Sequence, residues 1–581
     1  MNSSEAVSYY VGVEQIFNMV AILNLTAYQW PDQACVHNGS EFDFIVVGGG
    51  SAGCIVASRL VKTGKASVLL IEAGPYPPLE SDYEGLFPFL KDSRYDWNFT
   101  STENELIGEY HTKDVIHMSS GKMLGGSSSL GFGCYRRGYP HDYNEWADIT
   151  NDTSWSYKSI APLFKKNEQL VDPRLLRSNH YYGTKGNIKI GKVYYKRNRP
   201  YFDALEELGY DYHLDVNPDH PLGFTNLMFT IGDDVRQTPA HKFLKPLKNN
   251  KKLHLLVNTL ATKIIFDDNK TAVGVEILTE HNEKITVRAR KEVIVTCGTI
   301  KSPQLLMLSG IGPKEELEDK NIDVIADLPV GKNFQDHVNT ILLYKMTKSS
   351  LAYNLDNPKR YPFVIFDGYV AFNKSQCYPD YEAICVHFGE TLTFLGICAF
   401  YFSYDNKLCD TINKAADNKE IFMTFVTYLN PKSRGEILLK STDPRDNPLI
   451  IPRYYSNEID IEKHASYLAD FNRIVNTTYF KEVEGEFIDP QLKSCEGLKK
   501  NTMEYWKCYA IATADTAHYF VGTCSMGAVV NSRLQVYGVK NLRVCDASIM
   551  PTNVRALAEA SVMAIARKAS NMIIADNGLR K

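Results

Sequence analysis

Three glycines, Gly48, Gly50 and Gly53, stand at G-x-G-x-x-G spacing within FDFIVVGGGSAGCIVASRLVKTGKASVLLIEAG, residues 42–74. An apolar run at 42–47 precedes them, and helical periodicity at 55–60 follows, leading on to Arg59 and Lys62. Strand, tight turn and helix in that order turn unpaired backbone N–H groups and a positive dipole end toward an anion at the turn. Gly48 permits the turn, Gly50 lets a pyrophosphate approach the backbone, and Gly53 lets the helix lie close on the strand. A second apolar run, 68–71, ends in Glu72, where a carboxylate accepts hydrogen bonds from both hydroxyls of a ribose. These residues together predict a dinucleotide site.

Other segments must support that site. GKMLGGSSSLGFGCYRRG, residues 121–138, sets glycines and consecutive serines between apolar neighbours, which predicts a tight loop of backbone donors rather than a linker. A buried strand at 293–296 runs into GTIKSPQLLMLSGIGP, where Ser302 and Pro303 predict a helix start and Gly310 its end. Strands are also predicted at 253–257, 262–266, 273–278 and 285–289, with helices at 156–168, 199–208 and 461–475. After residue 338 short strands alternate with loops rich in Tyr and Phe. The last block carries HYFVGTCSMG, a strand at 542–545, DASIMP and a helix over about 557–574. The reading is an α/β nucleotide domain, discontinuous in sequence and interrupted by a cap.

Composition narrows the class. With 581 residues, 44% of them hydrophobic and 23% charged, the chain suits two or three globular domains. A formal charge of −4 with no basic stripe argues against a nucleic-acid partner. No apolar run reaches the length of a membrane span, 16–23 and 392–402 being the best candidates. Twelve cysteines without zinc spacing exclude a disulfide scaffold and a metal site. Cys495 and Cys508 suit a bridge worth roughly 3 kcal/mol by loop entropy, and the other cysteines are expected to be buried thiols. The first 23 residues lack a basic start and carry Glu14 and Asn18, unlike a standard signal peptide. Sequons at Asn2, Asn24, Asn38, Asn98, Asn151, Asn269, Asn373 and Asn476, with the bridge, nevertheless lean toward the secretory route.

The motifs VVGGGSAG with Glu72, GKMLGGSSS, GTIKSPQLLMLSGIG, VGKNFQDH, VGTCSMG and VCDASIMP, in that order, resemble the glucose-methanol-choline (GMC) oxidoreductases, in their insect branch. The resemblance runs from Glu41 to near the C-terminus and implies a Rossmann-like FAD-binding domain with an inserted α+β substrate cap. The expected FAD domain comprises 41–190, 253–337 and 509–581, the cap 191–252 and 338–508, after an N-terminal segment of 1–40. It implies that Gly48, Gly50, Ser51, Gly53 and Glu72 hold the ADP half of FAD. Gly125, Gly126, Ser127 and Ser128 would lie along the flavin, Ala261 at adenine, and Asp546 with Ala547 at the ribityl and pyrophosphate.

The departures from the family pattern concern proton chemistry. Family oxidases read HPVGTC; here Tyr519 and Phe520 take the positions of the histidine and proline, and His518 lies one residue earlier. The partner position, His or Asn in the family, is Leu557; the GNxNAP run reads ALAEAS, with Glu559 at its second Asn, and Gly131 stands where GGSS is usually followed by xxN. Strand alternation predicts that His518 points away from the pocket. A phenol titrates near 10 and Leu557 has no polar atom, so loss of hydride chemistry is expected. The resemblance is then to family members that shift protons on the redox scaffold, the almond-type hydroxynitrile lyases and above all the hexenal isomerases of caterpillar saliva. The expected reaction takes a small unsaturated aldehyde, (Z)-3-hexenal, to (E)-2-hexenal in a secreted protein, with Tyr519, His518 and Glu559 as acid-base groups. The alternatives are an alcohol oxidase or dehydrogenase like the insect ecdysone oxidases and glucose dehydrogenases, and an inactive ligand carrier.

Overall fold

The computed structural model describes residues 29–102, 110–176, 180–195, 198–348, 364–389, 394–395, 397–398, 402 and 404–580. Chain order opens on β1 (Glu41–Val47), α1 (Ser51–Val61) and β2 (Val68–Ile71). β1 from Phe44 onward and all of β2 are apolar without alternation because both faces are covered there, and the two strands pair in parallel. β3 (Leu253–Leu256), β4 (Leu260–Phe266), β5 (Ala272–Leu278) and β6 (Lys284–Val295) complete most of this sheet, in the order β3-β2-β1-β6-β5-β4.

β6 joins two predicted strands into one of 12 residues. Its first half runs antiparallel to β5 and its second half parallel to β1, the register shifting between Phe42 and Phe44. At this shift Arg290 and Lys291 have no opposite residue in the ladder, and Arg290 Nε reaches the Asp43 carboxylate at 3.2 Å. α2 (Gly298–Leu308) follows, starting earlier than Ser302 and Pro303 predict. Pro303 cannot donate to the carbonyl of Thr299, and the Thr523 hydroxyl donates to that oxygen instead, at 2.6 Å, so the helix tolerates the proline.

β7 (Val338–Met346), β8 (Val364–Val370), β9 (Tyr381–Phe388) and β10 (Glu420–Tyr428) form a second, antiparallel sheet in the order β7-β10-β9-β8. Gly223–Thr225 pairs with β8, while Glu486–Phe487 and Asp515–Thr516 both pair with β7. β11 (Leu542–Val544) then returns to the first sheet beside β6, and α3 (Ala558–Asp576) lies against α1.

Cys495 and Cys508 form a disulfide, as the sequence suggests. The expectation of buried thiols elsewhere fails at Cys398 and Cys409, which form a second bridge with Cα atoms 5.9 Å apart, and at Cys35 and Cys377, which are exposed thiols. Among the described residues no helix is long and apolar enough to cross a membrane, and no group of three His, Cys, Asp or Glu could hold a metal ion.

Candidate active site

A cavity of about 380 Å³ runs from the glycine turn of the first sheet to the inner face of the second. At its nucleotide end the floor is backbone. Gly48 has φ +100°, and a Cβ there would come 2.4 Å from the carbonyl oxygen of Thr296. A Cβ on Gly53 would lie 1.9 Å from the carbonyl oxygen of Gly48, so this glycine serves the contact of α1 with the turn and does not line the cavity.

Gly50 differs from both. Its φ is an ordinary −74°, and a Cβ would meet only the Cα of Gly126, at 3.9 Å, since it would project into the cavity. The second glycine loop crosses at this point: Gly125 N donates to Gly49 O at 2.7 Å, and the positive φ of Gly125 and Gly126 carries the chain past without side chains. Ser127 Oγ accepts from Gly121 N at 3.2 Å and Ser128 Oγ donates to Gly125 O at 2.7 Å, so both hydroxyls brace the loop. Ser51, Ala261 and Ala547 also line the cavity. A side-chain-free floor at the N-terminus of α1 is what a pyrophosphate requires, and the residues present fit FAD.

Two carboxylates hold this end together. Glu72 Oε2 accepts from Gly49 N at 2.7 Å and Oε1 from Gly74 N at 2.9 Å. Burial pushes its proton affinity up to a pKa of about 7, against the pull of those N–H groups and of Lys122. Asp546 caps two elements at once, Oδ1 accepting from Ser548 N and Oγ and Oδ2 from Gly298 N and Ser302 Oγ, at 2.6–2.9 Å. Its carboxylate therefore ties the start of α2 to the segment that presents Ala547.

The opposite end contains the groups with proton chemistry. Contrary to strand alternation, His518 lines the cavity together with Ala517, Tyr519 and Phe520. The reason is a left-handed backbone at His518, φ +63°, held by its N–H to Thr516 Oγ1 at 2.8 Å. A bend replaces the strand there, and consecutive side chains reach one space. Enclosure, with Lys91 and His117 nearby, pushes the His518 pKa down to about 3, so the ring is neutral. Leu557 and Glu559 line the same cavity from the start of α3. Glu559 Oε1 accepts no hydrogen bond among the described residues, and burial raises its pKa to about 7 despite Arg236.

Asp336, which sequence analysis left without a role, organises this segment. Its Oδ1 accepts from His337 N at 2.9 Å and Tyr519 N at 3.1 Å, and its Oδ2 accepts from the hydroxyls of Tyr454 and Thr516. The FQDH motif was its only signal. Lys91 and His117 were missed because the stretch that carries them has no periodicity.

The second sheet roofs this end with alternate residues of its strands, as one face of a pleat must. Ile384, Val386 and Phe388 come from β9, Met423 and Phe425 from β10 and Ile365 from β8. Their side chains make most of the roof apolar.

Comparison with known proteins decides the lineage. The GMC oxidoreductase family matches residues 42–339 and again residues 431–566. The chain belongs to this family. It is 36% identical to an ecdysone oxidase of Spodoptera littoralis over 98% of this chain and 97% of that protein. It is 31% identical to the glucose dehydrogenase [FAD, quinone] of Drosophila melanogaster over 92% of this chain and 87% of the relative. Formate oxidase of Aspergillus oryzae superposes with a TM-score of 0.80 at 24% identity, covering 94% of this GMC chain and all of the other, which shows the shared fold. GMC oxidoreductases bind FAD, and FAD is the cofactor of this chain.

Proposed function

We propose that this chain is an FAD-dependent oxidoreductase acting on the CH–OH group of a lipophilic alcohol. The observation that carries the reading is His518, whose left-handed backbone turns a neutral imidazole into the cavity one residue before the family's histidine position. A neutral ring can accept the hydroxyl proton as the carbinol C–H bond breaks, and its lowered pKa makes it a weaker base than a solvated imidazole. FAD, when bound, supplies the hydride acceptor. Gly50, Ser51, Gly126 and the N-terminus of α1 would hold its pyrophosphate, Glu72 its ribose and Ala261 its adenine. Asp336 positions the base through the backbone of the segment 516–519. Relatives named ecdysone oxidase and glucose dehydrogenase both support oxidation, and the apolar roof favours a steroid-like alcohol over a sugar.

A second reading rests on different groups. Tyr519 and Leu557 occupy the family's acid-base positions, and Glu559, protonating near pH 7, could carry a proton between two carbons of an enal. That supports isomerisation of (Z)-3-hexenal to (E)-2-hexenal without net redox change. The test is anaerobic addition of a lipophilic secondary alcohol to the purified flavoprotein. Bleaching of the flavin absorbance is the expected result. An unbleached flavin together with chromatographic conversion of the hexenal would establish the second reading, and neither result would leave a ligand carrier. Passage through the secretory route is supported by two disulfides and by exposed sequon residues at Asn38, Asn98, Asn151, Asn269, Asn373 and Asn476; Asn2 and Asn24 lie outside the described residues.

A further inference from the structure

One transverse row of the roof is polar. Asp515 faces Asn339 on β7, Asn339 faces Thr427 on β10, Thr427 faces Glu382 on β9, and Glu382 faces Tyr369 on β8. Residues directly opposite in a sheet share a face, and Asp515, Asn339, Thr427 and Glu382 all line the cavity. The next rows along the strands, Ile384 with Phe425 and Val386 with Met423, are apolar.

Parts of this row are already paired within the protein. The Tyr369 hydroxyl donates to Glu382 Oε1 at 2.6 Å, and the Thr427 hydroxyl donates to Asn339 Oδ1 at 3.1 Å. Glu382 is only 1% exposed and lines the cavity, and the Tyr369 hydroxyl reaches its Oε1 alone. A buried carboxyl group costs free energy unless donors satisfy it. The row also ends where the proton chemistry begins, since Asp515–Thr516 leads directly to His518. From Asp515 to Glu382 there are three strand spacings, about 14 Å at roughly 4.8 Å each.

We propose that Glu382 is a specificity-determining residue that accepts a hydrogen bond from a second hydroxyl of the substrate, remote from the reacting one. The substrate class is therefore an apolar body carrying hydroxyls near both ends, as long as a ten-carbon α,ω-diol or a tetracyclic diol. The apolar rows beside the polar one cover its middle, and the reacting carbinol lies at the His518 end. This inference deepens the oxidoreductase reading and rests on it for which end reacts; the binding of the far hydroxyl does not depend on redox chemistry.

The test is anaerobic equilibrium dialysis of the FAD-loaded protein with a ten-carbon α,ω-diol and with the ten-carbon mono-alcohol. The expected result is at least tenfold tighter binding of the diol, the scale of one hydrogen bond to a carboxyl group. In Glu382→Leu the preference should fall to within twofold while the mono-alcohol still binds, and in Glu382→Gln, which retains an acceptor, part of the preference should return. Equal binding of both alcohols by the parent protein, or an undiminished preference in Glu382→Leu, would overturn the inference. Retained flavin absorbance shows that each variant is folded. A clear diol preference with an unbleached flavin would instead uphold the subsite and reject the oxidoreductase reading.

Discussion

The two ends of the cavity are built by different means. At the glycine end the working surface is main chain, and its side chains, Glu72 and Asp546 above all, are spent on bracing turns. At the far end the working surface is side chain, presented by a bent segment and a sheet face. A backbone site tolerates almost no change in residue type, because a Cβ in the wrong place meets fixed atoms. A side-chain site can change its chemistry while its supports stay put. That contrast explains how one chain can keep the family's cofactor end and depart from the family at Tyr519 and Leu557.

The sharpest way to break the comparison is Gly53→Val. With a Cβ 1.9 Å from Gly48 O, overpacking should cost about 3 kcal/mol or more, and no folded flavoprotein should be recovered in soluble expression. Gly50→Leu is the counterpart. Its Cβ meets no close protein atom, so a cooperative thermal transition and native circular dichroism should persist while bound FAD falls below detection. Unfolding of Gly50→Leu, or flavin retention by it, would mean that the two glycines do the same job.

Smaller effects are expected at the side-chain end. His518→Ala should slow flavin reduction by an alcohol by about 10²–10³-fold in stopped-flow absorbance, the scale of a lost general base. Tyr519→Phe should slow it less than about fivefold. The reverse ranking would give the proton to the phenol. Because His518 protonates only near pH 3, its variant should lower the rate equally from pH 5 to 8.

Glu559→Gln should act through stability. The folded pKa is raised from 4.5 to about 7, so the carboxyl favours folding fully below pH 4.5, and that contribution is lost as pH rises through 7. The glutamine variant should therefore gain on the parent by about 3 kcal/mol between pH 4.5 and 8, read from melting temperatures across that range. A difference independent of pH would show that Glu559 is solvated in the flavoprotein.

The sequence was informative where a residue type answers a backbone demand. Gly48, Gly50, Gly53 and Glu72 identify their strand, turn and helix because no other residues meet those constraints at those spacings. Pro303 misleads for a tertiary reason: the hydroxyl of Thr523, distant in the chain, satisfies the carbonyl that a helical proline orphans. His518 misleads because alternation presumes a strand, and a left-handed non-glycine residue is set by the contacts of Asp336 and Thr516 rather than by its own preference. The polar row across the roof could not be read at all, since Glu382, Thr427, Asn339 and Asp515 become neighbours only through strand register.

Asp515–Thr516 is both the last strand of the roof and the anchor of the bend at His518. A guest that leans on the roof therefore bears on the same short strand that aims the imidazole.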